Sequence, residues 1–135
     1  MGWKMIFILI PVAIVLAFAG YVRLAPSDPA RWNQMPESVQ TRDLPGGAQR
    51  VVKAGPDGLA RLDAIARNWP RTRVLAGAID AGMITYITRS ALWGFPDYTT
   101  VRQTGDTLEI YARLRFGRSD LGVNGARIKA WLDQL

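Results

Sequence analysis

The chain has 135 residues, 49% of them hydrophobic, with 17 Lys and Arg against 11 Asp and Glu and with neither His nor Cys. That length suits one domain with an appendage, and the missing residue types exclude thiolate and imidazole catalysis, disulfides, and zinc or haem sites of the usual kind, so no metal and no cofactor is expected. The net charge of +6 is spread along the chain with acids interspersed, and 14 of the 17 basic residues are Arg, a skew that a GC-rich genome produces as readily as a binding surface; nucleic acid is not expected as a partner.

The first element is a run of 18 uncharged residues from Met5 to Val22. As a helix it spans about 27 Å, close to the hydrocarbon thickness of a bilayer. Trp3 and Tyr21 stand at its ends, where aromatic rings favour the interface. Pro11 is tolerated, because a spanning helix can re-satisfy the carbonyl it frees. Ala17-Phe18-Ala19 fits the small-x-small cleavage site of a secretory leader, with Lys4 as its positive flank. The length and hydrophobicity of the run favour a retained anchor over residues 1–22. The short N-terminal stub favours an N-in orientation, although Lys4 lies on one side and Arg23 and Arg31 on the other.

Residues 23–49 carry Pro26, Pro29, Pro36, Pro45, Gly46 and Gly47 with little apolar periodicity, and are expected to form an extended connector with Trp32 and Met35 as docking points. From residue 50 to 135 the pattern predicts an α+β domain. Val51-Val52 suits a short strand. Pro56 suits a first helical position, and Leu59, Leu62, Ile65, Ala66 and Trp69 recur at helical spacing until Pro70. Arg73 to Ile79 and Met83 to Trp93 read as a hairpin around Asp80-Ala81-Gly82.

A second hairpin runs from Tyr98 to Gln103 and from Thr107 to Phe116, around Gly105-Asp106. Closing it with a two-residue loop opposes Val101 to Ile110 and Arg102 to Glu109. A shift of one residue would set Arg102 against an apolar position. Ile128, Trp131, Leu132 and Leu135 then form one stripe of a last helix, with Asn124 as candidate N-cap. The expected order is β-α-β-β-β-β-α, an antiparallel sheet with both helices on one face and a transmembrane helix in front. The other face, with Tyr98, Arg102, Glu109, Tyr111, Arg113 and Arg115, is expected to be solvated or used.

Two stretches are more specific: Leu92-Trp93-Gly94-Phe95-Pro96-Asp97-Tyr98, and Arg113 through Asn124 (RLRFGRSDLGVN). Together they resemble the signature of the family catalogued as domain of unknown function 1499. That family has an aromatic-Pro-Asp element between strands and an Arg-x-Gly-x-Ser-Asp-Leu-Gly-x-Asn run entering the last helix, followed by an Arg matched by Arg127. The resemblance covers about residues 50–135. It implies an envelope or plastid location and brings no established reaction. The chain departs from the pattern at Gly125, where a basic residue often follows the Asn, and in lacking a Cys near the start of the domain.

Two readings of these residues stay open. In the structural one, Gly117 and Gly122 supply positive φ, Ser119 or Asp120 caps a short turn, Asn124 caps the last helix, and Asp97 and Asp120 pair with Arg side chains. In the functional one, Arg113, Arg115 and Arg118 converge beside the N–H groups of the turn to hold a small anion or lipid headgroup. Tyr98 and Tyr111 extend that surface towards a protein partner. A catalyst is not expected: Ser90 and Ser119 have no His to activate them, and Asp97 and Asp120 sit in turn-like sequence. The expected function is that of an accessory or interaction module in the bacterial inner membrane, such as a subunit or assembly factor of an envelope complex. Its amino terminus is expected in the cytoplasm and its domain in the periplasm.

Overall fold

The structure, a computed structural model, describes residues 2–135. Helix α1 (Trp3–Leu24) has a mean hydropathy of 2.7 over its most apolar window, and almost none of that window is buried against the rest of the chain. It is long and apolar enough to cross a membrane, and Pro11 lies within it without ending it.

Short helix α2 (Pro29–Trp32) and strands β1 (Arg42–Leu44) and β2 (Gly47–Lys53) follow. Residues read from the sequence as connector thus supply a helical turn, an edge strand and the start of β2. Helix α3 (Gly58–Arg67) starts two residues beyond Pro56, which precedes the N-cap Asp57 instead of opening the helix. Strands β3 (Thr72–Ala78), β4 (Met83–Arg89), β5 (Pro96–Thr104) and β6 (Thr107–Leu114) lead to helix α4 (Val123–Asp133).

The six strands form one antiparallel sheet in the order β1-β2-β6-β5-β4-β3. The β5–β6 register opposes Val101 to Ile110 and Arg102 to Glu109, as the parity of the sequence requires, and the latter pair is an ion pair of 2.7 Å. At Gly47 a Cβ would lie 2.1 Å from the Ala112 carbonyl oxygen, so glycine is what lets β2 close onto β6.

Helices α3 and α4 cover one face of the sheet. Leu59, Leu62 and Ala66 of α3 and Ile128 and Trp131 of α4 meet Ile84, Tyr86, Val101, Leu108 and Ile110, all of them buried. Trp131 stands edge-on to Tyr86 and Trp69, at 5.7 and 6.4 Å between centroids. Tyr86 donates to Asp63 at 2.7 Å, and Arg67 closes the other carboxylate oxygen at 2.8 Å. Burial, and then that hydrogen bond, raise the phenol of Tyr86 well above its ordinary pKa.

The opposite face is covered in part by the chain itself, with Tyr98 buried while Arg102, Glu109 and Tyr111 stay partly exposed. Residues 26–36 cross it as a strap. Trp32 stacks on Tyr98, Ser27 hydrogen-bonds the Tyr98 hydroxyl at 2.6 Å, and Thr85 donates to Asn33 Oδ1 at 2.8 Å. An irregular segment cannot satisfy its own carbonyls, so it lies where the sheet offers side-chain donors.

Candidate functional site

The two motif stretches meet at the end of the sheet where α1 enters the domain, but alternation along β5 and β6 divides their residues between the two faces. On the helix side, Asp120 precedes α4 and takes over the capping expected of Asn124. Its Oδ1 accepts from the Gly122 N–H at 3.0 Å, and its Oδ2 accepts from the Asn124 N–H at 3.0 Å and from Asn124 Nδ2 at 2.9 Å. Gly122 itself is the N-cap, at φ 79°, and Gly117 is also left-handed, at φ 99°. Asn124 falls two residues too late to cap: it lies inside the first turn and is fully buried.

From Asn124 the network continues to Arg127, one turn on, through a bond of 2.7 Å to Asn124 Oδ1, and from Arg127 to Asp97 at 3.2 Å. Asp97 pairs with Arg127 as the structural reading holds, while Asp120 is satisfied by Asn124 and backbone N–H groups instead of an Arg. Burial pushes the Asp97 carboxyl above its ordinary range despite the opposing pull of Arg127. Burial would raise Asp120 as well, but the bonds from Asn124 and Gly122 outweigh it and hold that carboxyl below the usual range. A cleft of about 350 Å³, walled by Trp69, Thr88 and Val123, lies beside Asp97 and Arg127.

On the strap side, Arg113 is spent on the chain itself. It donates to Thr100 Oγ1 at 2.7 Å, to the Tyr111 carbonyl at 3.3 Å and to the Trp32 carbonyl, with its guanidinium centre 4.6 Å from the Tyr111 ring. Burial lowers its pKa to about 10. Arg115 donates to the Pro26 carbonyl at 3.0 Å and to the Tyr98 hydroxyl at 3.2 Å. Arg118 and Ser119 are exposed on the loop beyond β6, away from this pair. The structure therefore joins Arg113, Arg115, Tyr98 and Tyr111 beneath the strap. It joins Asp97, Asp120 and Asn124 on the far side, and does not bring Arg118 into either group.

The last turns of α1 rest directly on this end of the domain. Phe18 and Tyr21 pack against Phe116 at 6.4 and 6.0 Å, and Phe18 also meets Phe95 at 6.2 Å. Val22 is buried, and its carbonyl accepts from Arg89 at 3.3 Å. Arg23 donates to the carbonyls of Leu92 and Trp93 at 2.7 and 3.4 Å. Beside them a cleft of about 640 Å³ is bordered by Arg23, Arg71, Arg73 and Arg89. Sequence reasoning missed this group; the signal was that Arg73 and Arg89 lie at the start of β3 and the end of β4, which antiparallel pairing brings to the same end. Among the described residues, no group of three or more His, Cys, Asp or Glu could hold a metal ion.

A family model described as a protein of unknown function, DUF1499, matches residues 23–135. The chain belongs to the DUF1499 family. No curated protein and no solved structure matches it. The DUF1499 region starts at Arg23, so it takes in the strap and β1 as well as the stretch from residue 50 that carries the motifs. It also contains the whole Asp97-Arg127-Asn124-Asp120 network of this DUF1499 chain, assembled from both signature stretches.

Proposed function

We propose that this chain is an accessory module tethered in the bacterial inner membrane, with its amino terminus in the cytoplasm and its domain in the periplasm. It works by contact with a neighbouring protein, as a subunit or assembly factor of an envelope complex, and not as a catalyst or a nucleic-acid binder. The observation that carries the reading is Leu121. Its side chain is 92% exposed, at a backbone φ of 53° that non-glycine residues seldom adopt. The loop that displays it is fixed: Asp120 donates its N–H to the Pro45 carbonyl at 3.1 Å, and Ser119 Oγ accepts from the Leu121 N–H at 3.3 Å. The left-handed backbone at Leu121 carries strain, and it holds a large apolar side chain outward on a pinned loop beside half-exposed Val123, which suits a contact residue.

The Tyr-Arg sheet face expected to meet the partner is occupied by the strap, so the contact surface moves to the exit loop with Arg118, Leu121 and Val123. The alternative of an anion held by Arg113, Arg115 and Arg118 needs the terminal nitrogens of Arg113, which are already bonded to the chain, and Arg118 beside them, where it does not stand. Native gel electrophoresis of membranes extracted in mild detergent tests the reading. The wild-type chain is expected in a species larger than itself, and Leu121→Asp with Arg118→Glu to release it. A wild-type chain that migrates alone, or a double variant that stays in the larger species, overturns it.

A further inference from the structure

We propose that the cleft bordered by Arg23, Arg71, Arg73 and Arg89 seats the phosphate of an anionic phospholipid from the bilayer that α1 crosses. The inference rests on α1 as a spanning helix but not on the partner contact at Leu121.

Charge is the first argument. Among the described residues, five arginines form ion pairs, namely Arg50, Arg61, Arg67, Arg102 and Arg127. None of the four at this cleft does, and no carboxylate borders it. Asp97 lines the adjoining cleft, which shares Arg71 and Arg89 with this one, but its carboxylate pairs with Arg127 and with neither of them. Like charges gathered without a counter-charge repel, and an anion placed between them removes that repulsion. Arg89 feels it: burial first, and then Arg73, lower its affinity for its proton.

Free donors are the second. Arg71 uses Nε on the Arg89 carbonyl at 3.0 Å, which leaves both terminal nitrogens, and Arg73 makes no side-chain bond among the described residues. Planar guanidinium groups with paired N–H donors suit phosphate oxygens.

Position and lining decide for a lipid over a free anion. Arg23 is the penultimate residue of α1, so the cleft opens where a spanning helix meets the headgroups. Ile87 and Ala91 give it an apolar floor, and about 640 Å³ exceeds what a lone phosphate needs. On the loop that forms its rim, Leu92 and Trp93 are 72% and 44% exposed, side chains suited to the interfacial depth. Tethering also holds the cleft permanently beside its ligand, so modest intrinsic affinity suffices.

The test uses the full-length chain in a zwitterionic detergent, titrated with short-chain phosphatidylglycerol, phosphatidylcholine or inorganic phosphate, with retained ligand read by native mass spectrometry and thermal stability. Phosphatidylglycerol is expected to bind saturably and to raise the melting temperature, the other two far less. Arg71→Gln with Arg73→Gln should weaken it about tenfold or more, while Arg61→Gln, at the exposed pair with Asp57, leaves it unchanged. If the double variant does not fold, Arg73→Gln alone is scored, since Arg73 supports no contact. Equal binding of phosphatidylcholine, equal binding of inorganic phosphate, or unaltered binding by the variants each overturns the proposal. Migration of the variants on native gels reports separately on the partner contact.

Discussion

The indole of Trp32 lies flat on the phenol of Tyr98, 3.9 Å between ring centroids and 9° from parallel. This stack, with the bonds from Arg113 and Thr100 to the Trp32 carbonyl, holds the strap on the sheet. Trp32→Ala is therefore expected to lose about 2–3 kcal/mol, below the usual range for a fully buried Trp because one face is open. It should also expose residues 26–40 to protease while the sheet remains folded. Limited proteolysis with mapping of the first cut checks this; a first cut elsewhere contradicts it.

Asp97 and Arg127 have side chains only 15% and 8% exposed, so removing one strands the other. Asp97→Ala should cost about 3–5 kcal/mol, and Asp97→Asn less, because its amide oxygen still accepts from Arg127. The pH dependence has a definite sign. Because the folded-state pKa of Asp97 is raised, the folded domain holds the proton more tightly than the unfolded chain; this group adds stability as pH falls through its folded pKa and withdraws it as pH rises. Melting curves across the acid range should show that component in the wild type and lose it in Asp97→Asn.

Asp120 acts in the opposite sense. Its carboxyl is held below the usual range, so the stability it gives is complete above the ordinary Asp value of about 3.9 and disappears as pH falls through the depressed folded value. Asp120→Ala removes three accepted bonds at the start of α4 and should cost about 1–2 kcal/mol at neutral pH. The difference between variant and wild type should shrink in acid. A constant difference at all pH values would contradict the capping role.

Gly47→Ala tests the closure of the sheet. The added Cβ meets a backbone oxygen, which cannot swing aside, so β2 must separate locally from β6. The expected cost is about 1–3 kcal/mol or more. Amide exchange in β1 and β2 should rise ahead of exchange in β4 and β5, whereas uniform acceleration would place the strain elsewhere.

The helices and the β5–β6 register were legible in the sequence because each repeats its signal: a stripe in α3 and α4, and strict alternation from Leu108 to Leu114 that fixes which residue faces Arg102. The strap was not legible, because it is held by one ring and several backbone carbonyls, and neither leaves a period; only Trp32 and Met35 stood out as docking points. Strand β1 has three residues, too few to alternate. Asp120 and Asn124 are equally good caps by residue type, and only the left-handed Gly122 between them decides. The charge was legible as a total and misleading as a distribution: basic residues spaced evenly along the chain are gathered by antiparallel pairing to the end beside α1.

Helix α1 ends inside the packing of the domain, with Val22 buried and its carbonyl bound by Arg89, and the strap that follows is fastened down in turn. No slack link separates anchor from domain, so the two turn as one piece. Membrane helices tilt by about 20° on average, and by more where the bilayer is thin. With α1 crossing a bilayer as proposed, a change in bilayer thickness would also change the attitude of the whole domain and carry Leu121 towards or away from the lipid surface without any rearrangement of the fold.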